Sequence, residues 1–218
     1  MERHFVSFPK SGRSWLRYSL TVLGVAKPIR FHHDGFEFND AAKPMPDTSL
    51  EKRLRYPYDA RIVYLSRDPL DVMVSFYFQI TGRFRDFFHY DGTISQFVRD
   101  DYFGAHQLAQ FRRIWQEMCR QGHAHEISYE DCHRDFAGVL RRVVDVLGVE
   151  ADEAAIADAA QASTFARMQA VEQSGEFTEP WMRLRNGAPK LRRGKAGGYR
   201  DYLAKEDIAY LRKIFEDQ

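Results

Sequence analysis

Short apolar runs alternate with helical patterns along this chain, and this alternation is the feature that most limits its fold. The apolar runs cover residues 4–8, 28–32, 61–66 and 125–129, and each is typical of a buried strand. Helical patterns are predicted between and after them, at 14–23, 69–80, 106–121, 132–147 and 205–216. Strands that alternate with helices form a parallel sheet with helices on both faces, so the sequence predicts an α/β fold.

Length and composition narrow the class of protein. A chain of 218 residues predicts one domain over residues 1–218. The net charge of +1 gives no support for general polyanion binding, so nucleic acid is not an expected partner. Cys119 and Cys132 fit neither a disulfide framework nor a metal spacing, and we interpret them as reduced thiols of a cytoplasmic protein. No run approaches membrane-spanning length, and the start MERHFVSF predicts no signal peptide.

The stretch SFPKSGRSWLR, residues 7–17, joins the first predicted strand to the first predicted helix. Ligands of open α/β sheets bind beyond the carboxyl ends of the strands, and helix N-termini attract anions. Gly12 allows close backbone approach, while Lys10, Arg13 and Ser14 add two cations and a hydroxyl. The pattern predicts an anion site, although a P-loop has its lysine after the last glycine. An ordinary corner with a solvated lysine is the alternative.

A second strand–turn–helix segment, YLSRDPLDVMVSFYF at residues 64–78, has a similar character. Arg67 ends the strand, and Ser75 lies about two turns into the helix. Both side chains would reach one phosphate if the loop folds back. The alternative is that Arg67 pairs with Asp68 or Asp71 and that Ser75 is simply a small buried residue.

A third segment lies in the long predicted loop at residues 172–202. KLRRGKAGGYRDYL, residues 190–203, combines basic side chains with three glycines. Long loops in compact domains are usually functional or disordered. The glycines would let backbone N–H groups and side chains turn toward one phosphate. A solvated basic loop or a nucleic-acid-binding segment are the generic alternatives.

Together these three stretches resemble the cytosolic-type sulfotransferases that use 3′-phosphoadenosine 5′-phosphosulfate (PAPS). FPKSGRSWL is similar to their 5′-phosphosulfate loop, P-K-S-G-T-[TS]-W-L, and SRDPLDVMVS to their 3′-phosphate segment, R-[ND]-P-x-D-x-x-x-S. RRGKAGGYRDYL is similar to their C-terminal R-K-G-x-x-G-D-W-[KR]-x-x-[FL]. The resemblance implies a short, bacterial-like member with a P-loop-like fold. Such an enzyme transfers a sulfuryl group from PAPS to a hydroxyl acceptor and releases 3′-phosphoadenosine 5′-phosphate (PAP). The resemblance implies that this reaction uses no metal.

The resemblance also implies roles for single residues. Lys10 would contact the bridging oxygen and the leaving 5′-phosphate, and the implied catalytic set is Lys10, His33 and Ser75. The residues that the resemblance implies for PAPS binding include the 5′-phosphate loop, the adenine contacts and the 3′-phosphate site. In sequence order they are Lys10, Ser11, Gly12, Arg13, Ser14, Trp15, Arg67, Ser75, Tyr129, Ser163, Phe165, Met168, Arg192, Arg193 and Gly194.

The implied general base lies in FHHDG, after the second predicted strand. His33 aligns best with the family's catalytic histidine, and His32 is the alternative. Side chains alternate along a strand, so only one of the two is expected to face the site. Arg13 stands where the family pattern has a threonine, and Gly198–Tyr199 where it has Asp–Trp.

Three questions stay open at the level of sequence. A P-loop-type small-molecule kinase and an inactive nucleotide-binding module are rival functions. The acceptor is expected to be a small molecule, with phenols, alcohols, lipids and natural-product scaffolds all open and sugars less favoured. The aromatic stretch at residues 76–92 predicts either an apolar acceptor pocket or plain core. A homodimer is also left open.

Overall fold

A central parallel sheet organises the chain. The structure, a computed structural model, describes residues 1–38, 59–175, 177 and 179–216. Within them, β1 (Arg3–Ser7), β2 (Arg30–His32), β3 (Arg61–Ser66) and β4 (His125–Ser128) form one sheet in the order β2-β1-β3-β4, and every neighbouring pair is parallel. The predicted parallel α/β fold is confirmed. The predicted strands shift by up to two residues, and Tyr129 begins a helix instead of ending β4.

Helices follow the strands and cover the sheet. They are α1 (Arg13–Val22), α2 (Pro69–Phe78), α3 (Arg85–Phe88), α4 (Ile94–Arg99), α5 (Ala105–Arg120), α6 (Tyr129–Arg134), α7 (Phe136–Leu147), α8 (Glu153–Ala162), α9 (Phe165–Ser174) and α10 (Lys205–Glu216). A π-helical turn, Gln79–Arg83, continues α2, and 3₁₀ turns lie at Pro180–Met182 and Gly198–Asp201. In the part of the chain described, no helix is long and apolar enough to cross a membrane.

Two helix starts illustrate how local chemistry sets the boundaries. The Asp68 side chain accepts the backbone N–H of Leu70 at 2.8 Å and so caps α2, as the Asp-Pro pair predicts. The helix predicted at 132–147 is instead two helices. Asp135 has an extended φ of −151° and accepts the N–H of Gly138 at 2.9 Å, which ends α6 and caps α7.

The two faces of the sheet bury separate cores. Phe5 of β1 and Val63 of β3 belong to a core shared with α1, α7 and α8. Their neighbours Val6 and Tyr64 belong to a second core shared with α2 and α5. This is the period-2 alternation of strands covered on both faces.

The carboxyl ends of all four strands meet at one edge. Val6 pairs with His32, Ser7 with Leu65, and Ser66 with Ser128. The segments that follow the strands therefore start side by side, and the three motifs singled out in the sequence converge there.

Candidate active site

A cavity of about 530 Å³ opens at this edge of the sheet. Most of the predicted site residues line it: Lys10, Gly12, Arg13, Ser14, Trp15, His33, Arg67, Ser75, Tyr129, Phe165, Met168, Arg192, Arg193 and Gly194. Ser11 and Ser163 do not. Ser163 is fully buried, where its hydroxyl accepts from Ser19 at 2.7 Å and donates to the Ala159 carbonyl at 2.6 Å.

The loop between β1 and α1 has a backbone shape that requires glycine. Gly12 has φ +102°, and a β-carbon there would lie 2.4 Å from Cδ2 of Tyr129, so the ring packs directly on the loop. Gly12 is also the N-cap of α1 and provides no side-chain cap. The N–H groups of the first turn, with the helix dipole behind them, are therefore suited to an anion.

Lys10 lies among other cations. Its Nζ donates to the Lys190 carbonyl at 3.5 Å. Burial, together with the positive charges of Arg83, Arg67 and Arg192, lowers the pKa of Lys10 to about 7. An anion bound beside the amine would favour the charged form and raise the pKa again.

Arg67 reaches from the end of β3 into the same loop system. Its guanidinium donates to the carbonyls of Lys10 at 3.0 Å and Lys195 at 3.2 Å, and it lies 4.2 Å from the Tyr129 ring centroid. Its contact with Asp71 is long, at 3.8 Å. The Nε of Arg67 is buried and has no hydrogen-bond partner in the described structure. The guanidinium thus keeps a donor for a ligand.

Asp71, which received no role from the sequence, holds the glycine-rich segment. Its carboxylate is buried and accepts the backbone N–H of Gly197 at 2.6 Å and of Tyr199 at 2.8 Å. The residue is the aspartate of the R-[ND]-P-x-D pattern, four residues after Arg67. The fixed spacing from Arg67 could have marked Asp71 as a functional residue. It could not have identified the residues that Asp71 binds, because Gly197 and Tyr199 lie more than 120 residues away in sequence.

Glu172 holds the preceding segment in the same manner. It is buried and accepts the N–H groups of Lys190 at 2.5 Å and Leu191 at 3.1 Å. Arg83 lies 3.7 Å from Glu172 and donates to two carbonyls within residues 183–188. The stretch predicted as one long loop is therefore anchored at several points.

The two arginines of the C-terminal motif differ in their surroundings. Arg192 donates to the Tyr202 hydroxyl at 2.6 Å. Arg193 is partly exposed and pairs with Asp201 at 2.7 Å. Both line the cavity, so an anion there competes with Asp201 for Arg193.

Aromatic side chains form another wall of the cavity. Trp15 stacks on Phe136, with ring centroids 4.4 Å apart and planes 9° apart, and Tyr129 meets Trp15 edge-on. A β-carbon at Gly194 would lie 2.3 Å from Phe165, so the basic segment packs against the start of α9. This wall offers flat apolar surface beside the cationic loops.

The two adjacent histidines face different surroundings. The Nδ1–H of His33 donates to the Ser7 carbonyl at 2.6 Å, and its Nε2 accepts from Arg13 Nη2 at 2.8 Å. Burial and the charge of Arg13 hold the pKa of His33 well below its usual range, so the ring is neutral. His32 instead contacts His4, N to N at 3.1 Å, and does not line the cavity. Burial lowers the pKa of His32 to about 4.

The aromatic stretch at 76–92 is mainly core. Phe76 and Ile80 are buried in the core that faces α2 and α5, and Gln79 is the one residue of this stretch that lines the cavity. Among the described residues, no three His, Cys, Asp or Glu side chains are arranged to hold a metal ion.

Comparison with known proteins gives consistent matches. The profile of a family described as the sulfotransferase domain matches residues 41–218. Mouse sulfotransferase 2B1 is 25% identical and aligns with 98% of this chain and 70% of its own length. Human sulfotransferase 2B1 is 32% identical and aligns with 66% of this chain and 40% of its own length.

Solved structures share the fold. Mouse sulfotransferase SULT7A1 complexed with PAP superposes with a TM-score of 0.70 at 17% identity, covering 99% of this chain and 82% of that chain. Retinol dehydratase in complex with androsterone and PAP superposes with a TM-score of 0.70 at 18% identity, and the match covers 99% of this chain and 80% of the dehydratase chain. At these identities the likeness concerns the fold.

Proposed function

The chain belongs to the sulfotransferase family and transfers a sulfuryl group from PAPS to a hydroxyl acceptor, and we propose that the cavity at the carboxyl edge of the sheet is where it does so. One observation carries this assignment. Lys10, Arg67 and His33 come from segments after three different strands, yet all line one cavity. The three side chains supply the functions that such a transfer needs: leaving-group stabilisation, nucleotide binding and a base.

The nucleotide would lie across the cationic loops. Lys10 and the backbone of Gly12, Arg13 and Ser14 bind the 5′-phosphate at the start of α1, which has no side-chain cap. Ser11 is buried and its N–H donates to the Phe8 carbonyl, so it supports the loop from behind. Arg67 and Ser75, with the segment at 192–194, bind the 3′-phosphate. The buried, unpartnered Nε of Arg67 and the depressed pKa of Lys10 support an anionic ligand here.

The adenine would occupy the aromatic wall. Trp15, Tyr129, Phe165 and Met168 line this part of the cavity and provide flat or polarizable apolar surface. Ser163 contributes through the position of α9, because its hydroxyl is already used inside the protein.

The transfer itself follows from the charges and the tautomer of the base. The acceptor oxygen attacks sulfur as the bond between sulfur and the bridging oxygen breaks, and PAP leaves. Lys10 stabilises the negative charge that develops on the leaving oxygen. The Ser7 carbonyl fixes the proton of His33 on Nδ1, so that Nε2 has the lone pair that takes the proton of the acceptor.

PAP and AMP binding, measured by calorimetry, test the nucleotide assignment. Contacts to a charged group contribute about 1.5–3 kcal/mol each, so PAP should bind at least about tenfold tighter than AMP. Arg67→Ala should remove most of that difference. Equal affinities for PAP and AMP in the wild-type protein would refute the 3′-phosphate site, and preferential binding of ATP would favour a kinase.

Three broader properties are also part of the proposal. Residues 1–218 form one domain, since both cores share the same sheet. A cytoplasmic location is supported by Cys119 and Cys132, which are unpaired thiols. A homodimer stays a prediction, to be decided by light scattering.

A further inference from the structure

We propose that the acceptor carries a carboxylate close to the hydroxyl that is sulfated, and that Arg13 and Lys190 bind this carboxylate. The inference rests on the proposed function, because it names the substrate class of the same cavity. Neither side chain is needed by the groups of PAPS assigned above, since the part of Arg13 given to the 5′-phosphate is its backbone.

The first argument is that Arg13 occupies the position of the incoming hydroxyl. A base must come within about 2.6–3.2 Å of the oxygen it deprotonates. The Nε2 of His33 has one lone pair, and Arg13 Nη2 already donates to it at 2.8 Å. The acceptor therefore has to displace the guanidinium from the base before the proton can move.

The second argument concerns what would draw the guanidinium away. Arg13 is largely buried, and its Nη1 has no hydrogen-bond partner in the described part of the chain. The charge of Glu37 acts on Arg13, but no carboxylate of the described residues forms an ion pair with Arg13 within 4.0 Å. A buried charge that loses one partner requires another, and a carboxylate matches the planar guanidinium with two parallel hydrogen bonds. An acceptor with such a group would release the base as it binds.

Lys190 provides an amine in the same cavity that a bound carboxylate would hold in its charged form. Its Nζ donates to the Trp181 carbonyl at 2.7 Å, and no described carboxylate pairs with it. Glu172 is near, but both its oxygens bind backbone N–H groups. Burial and the charges of Lys10 and Arg83 hold the pKa of Lys190 well below its usual range. Lys190 lines the same cavity as His33 and lies close enough for its charge to contribute to the lowered pKa of His33.

The third argument is the lack of an aromatic acceptor pocket from the expected stretch. The rings of residues 76–92 belong mainly to the core and do not line the cavity, and the residue of this stretch that does line it is Gln79, which is not aromatic. The expected aromatic stretch thus supplies no apolar acceptor pocket, whereas Arg13 and Lys190 line the cavity in addition to the cations assigned to the nucleotide.

Paired acceptors test the inference directly. Each pair is a hydroxy acid and its neutral primary amide, for example 3-hydroxybenzoate with 3-hydroxybenzamide and 4-hydroxyphenylacetate with its amide. Sulfated product is measured with radiolabelled PAPS, and the ratio of kcat/KM for acid over amide is the readout. In the wild-type protein the ratio should be at least about 10, as for a lost charge-assisted contact.

Three variants locate the effect. Arg13→Gln and Lys190→Met should each bring the ratio to within about threefold of unity. Lys195→Met is the matched control, because it removes one positive charge from the lining of the same cavity on the Arg67 side, and its ratio should stay at the wild-type value. PAP calorimetry on every variant reports whether the nucleotide site is still folded.

The outcomes separate the two proposals. If the wild-type protein binds PAP and its acid-over-amide ratio of kcat/KM is near or below unity, the acceptor inference is overturned and the sulfotransferase assignment stays in place. The same conclusion follows if the protein binds PAP but turns over no hydroxy acid. An equal loss of acid and amide turnover in Arg13→Gln would assign the guanidinium to the sulfuryl group and also overturn the inference. Absence of PAP binding in the wild-type protein refutes the proposed function itself.

Discussion

Substitution of Asp71 by asparagine isolates the contribution of one buried carboxylate to nucleotide binding. The change keeps the shape of the side chain but removes its charge. One oxygen remains to accept the N–H of Gly197 or Tyr199, and the new NH₂ group faces the other N–H donor. The glycine-rich segment therefore loses one of its two anchors, and a buried donor is left without an acceptor.

The expected magnitude follows from those two bonds. A hydrogen bond to a charged group contributes about 1.5–3 kcal/mol, and an unsatisfied buried donor costs about 1–3 kcal/mol. Because the asparagine of the variant keeps one neutral hydrogen bond, the docked state of the segment should lose about 2–4 kcal/mol of stability relative to the undocked state. An undocked segment must dock again before it contacts the 3′-phosphate. The apparent Kd for PAP is therefore the intrinsic Kd divided by the fraction of molecules in which the segment is docked. We expect at least a tenfold weaker affinity, which corresponds to about 1.4 kcal/mol.

Calorimetry with PAP and AMP is the assay, and hydrogen exchange of the amides at 197 and 199 is the structural readout. AMP affinity should fall much less than PAP affinity, and both amides should exchange faster. Asp201→Asn is the matched control, because it removes an exposed carboxylate from the same segment and frees Arg193. Its PAP affinity should be unchanged or slightly tighter. An unchanged ratio of PAP to AMP affinity in Asp71→Asn would refute the anchoring argument.

Two further predictions concern the chemistry. Since Lys10 has a pKa of about 7 in the empty site, it is mostly neutral at pH 8, and PAP should draw nearly one proton from the buffer as it recharges the amine. Calorimetry in buffers of different ionisation enthalpy should show this uptake at pH 8 and less of it below pH 7, and Lys10→Met should abolish most of it; an unchanged uptake would contradict the charge state. His33→Ala should lower kcat by about 100-fold or more with little change in PAP affinity, while His32→Ala should cost much less. If the His32 variant is the inactive one, the base is misassigned.

The local part of the site was predictable from sequence because its signals are local. Gly12 lies between β1 and α1, and Asp68–Pro69 lies between β3 and α2. Each pattern marks a strand–turn–helix corner in the sequence, and the two loops lie at the corners that these patterns predict. The choice of His33 over His32 came from the resemblance to the family, and the alternation of side chains past β2 predicted only that one of the two would face the site. The structure adds that His32 is engaged with His4.

The rest depends on contacts between distant residues. Nothing near Asp71 in the sequence indicates that its partners are Gly197 and Tyr199. The same holds for Arg83 and Glu172, which together fix the stretch that composition alone predicted to be one long loop. Such pairs have no characteristic spacing, since the fold alone brings them together.

The two buried carboxylates, Asp71 and Glu172, recognise main-chain N–H groups and no side chain of the segments they hold. The stretch from residue 190 to residue 199 is consequently fastened in part through atoms that every amino acid except proline has. The side chains of Lys190 and Arg192 add hydrogen bonds of their own, to the Trp181 carbonyl and the Tyr202 hydroxyl, and Gly194 is pressed against Phe165. Because the main-chain anchors do not depend on these side chains, a substitution at Lys190 would change the charge in the cavity while the loop that carries Arg192 and Arg193 keeps its place.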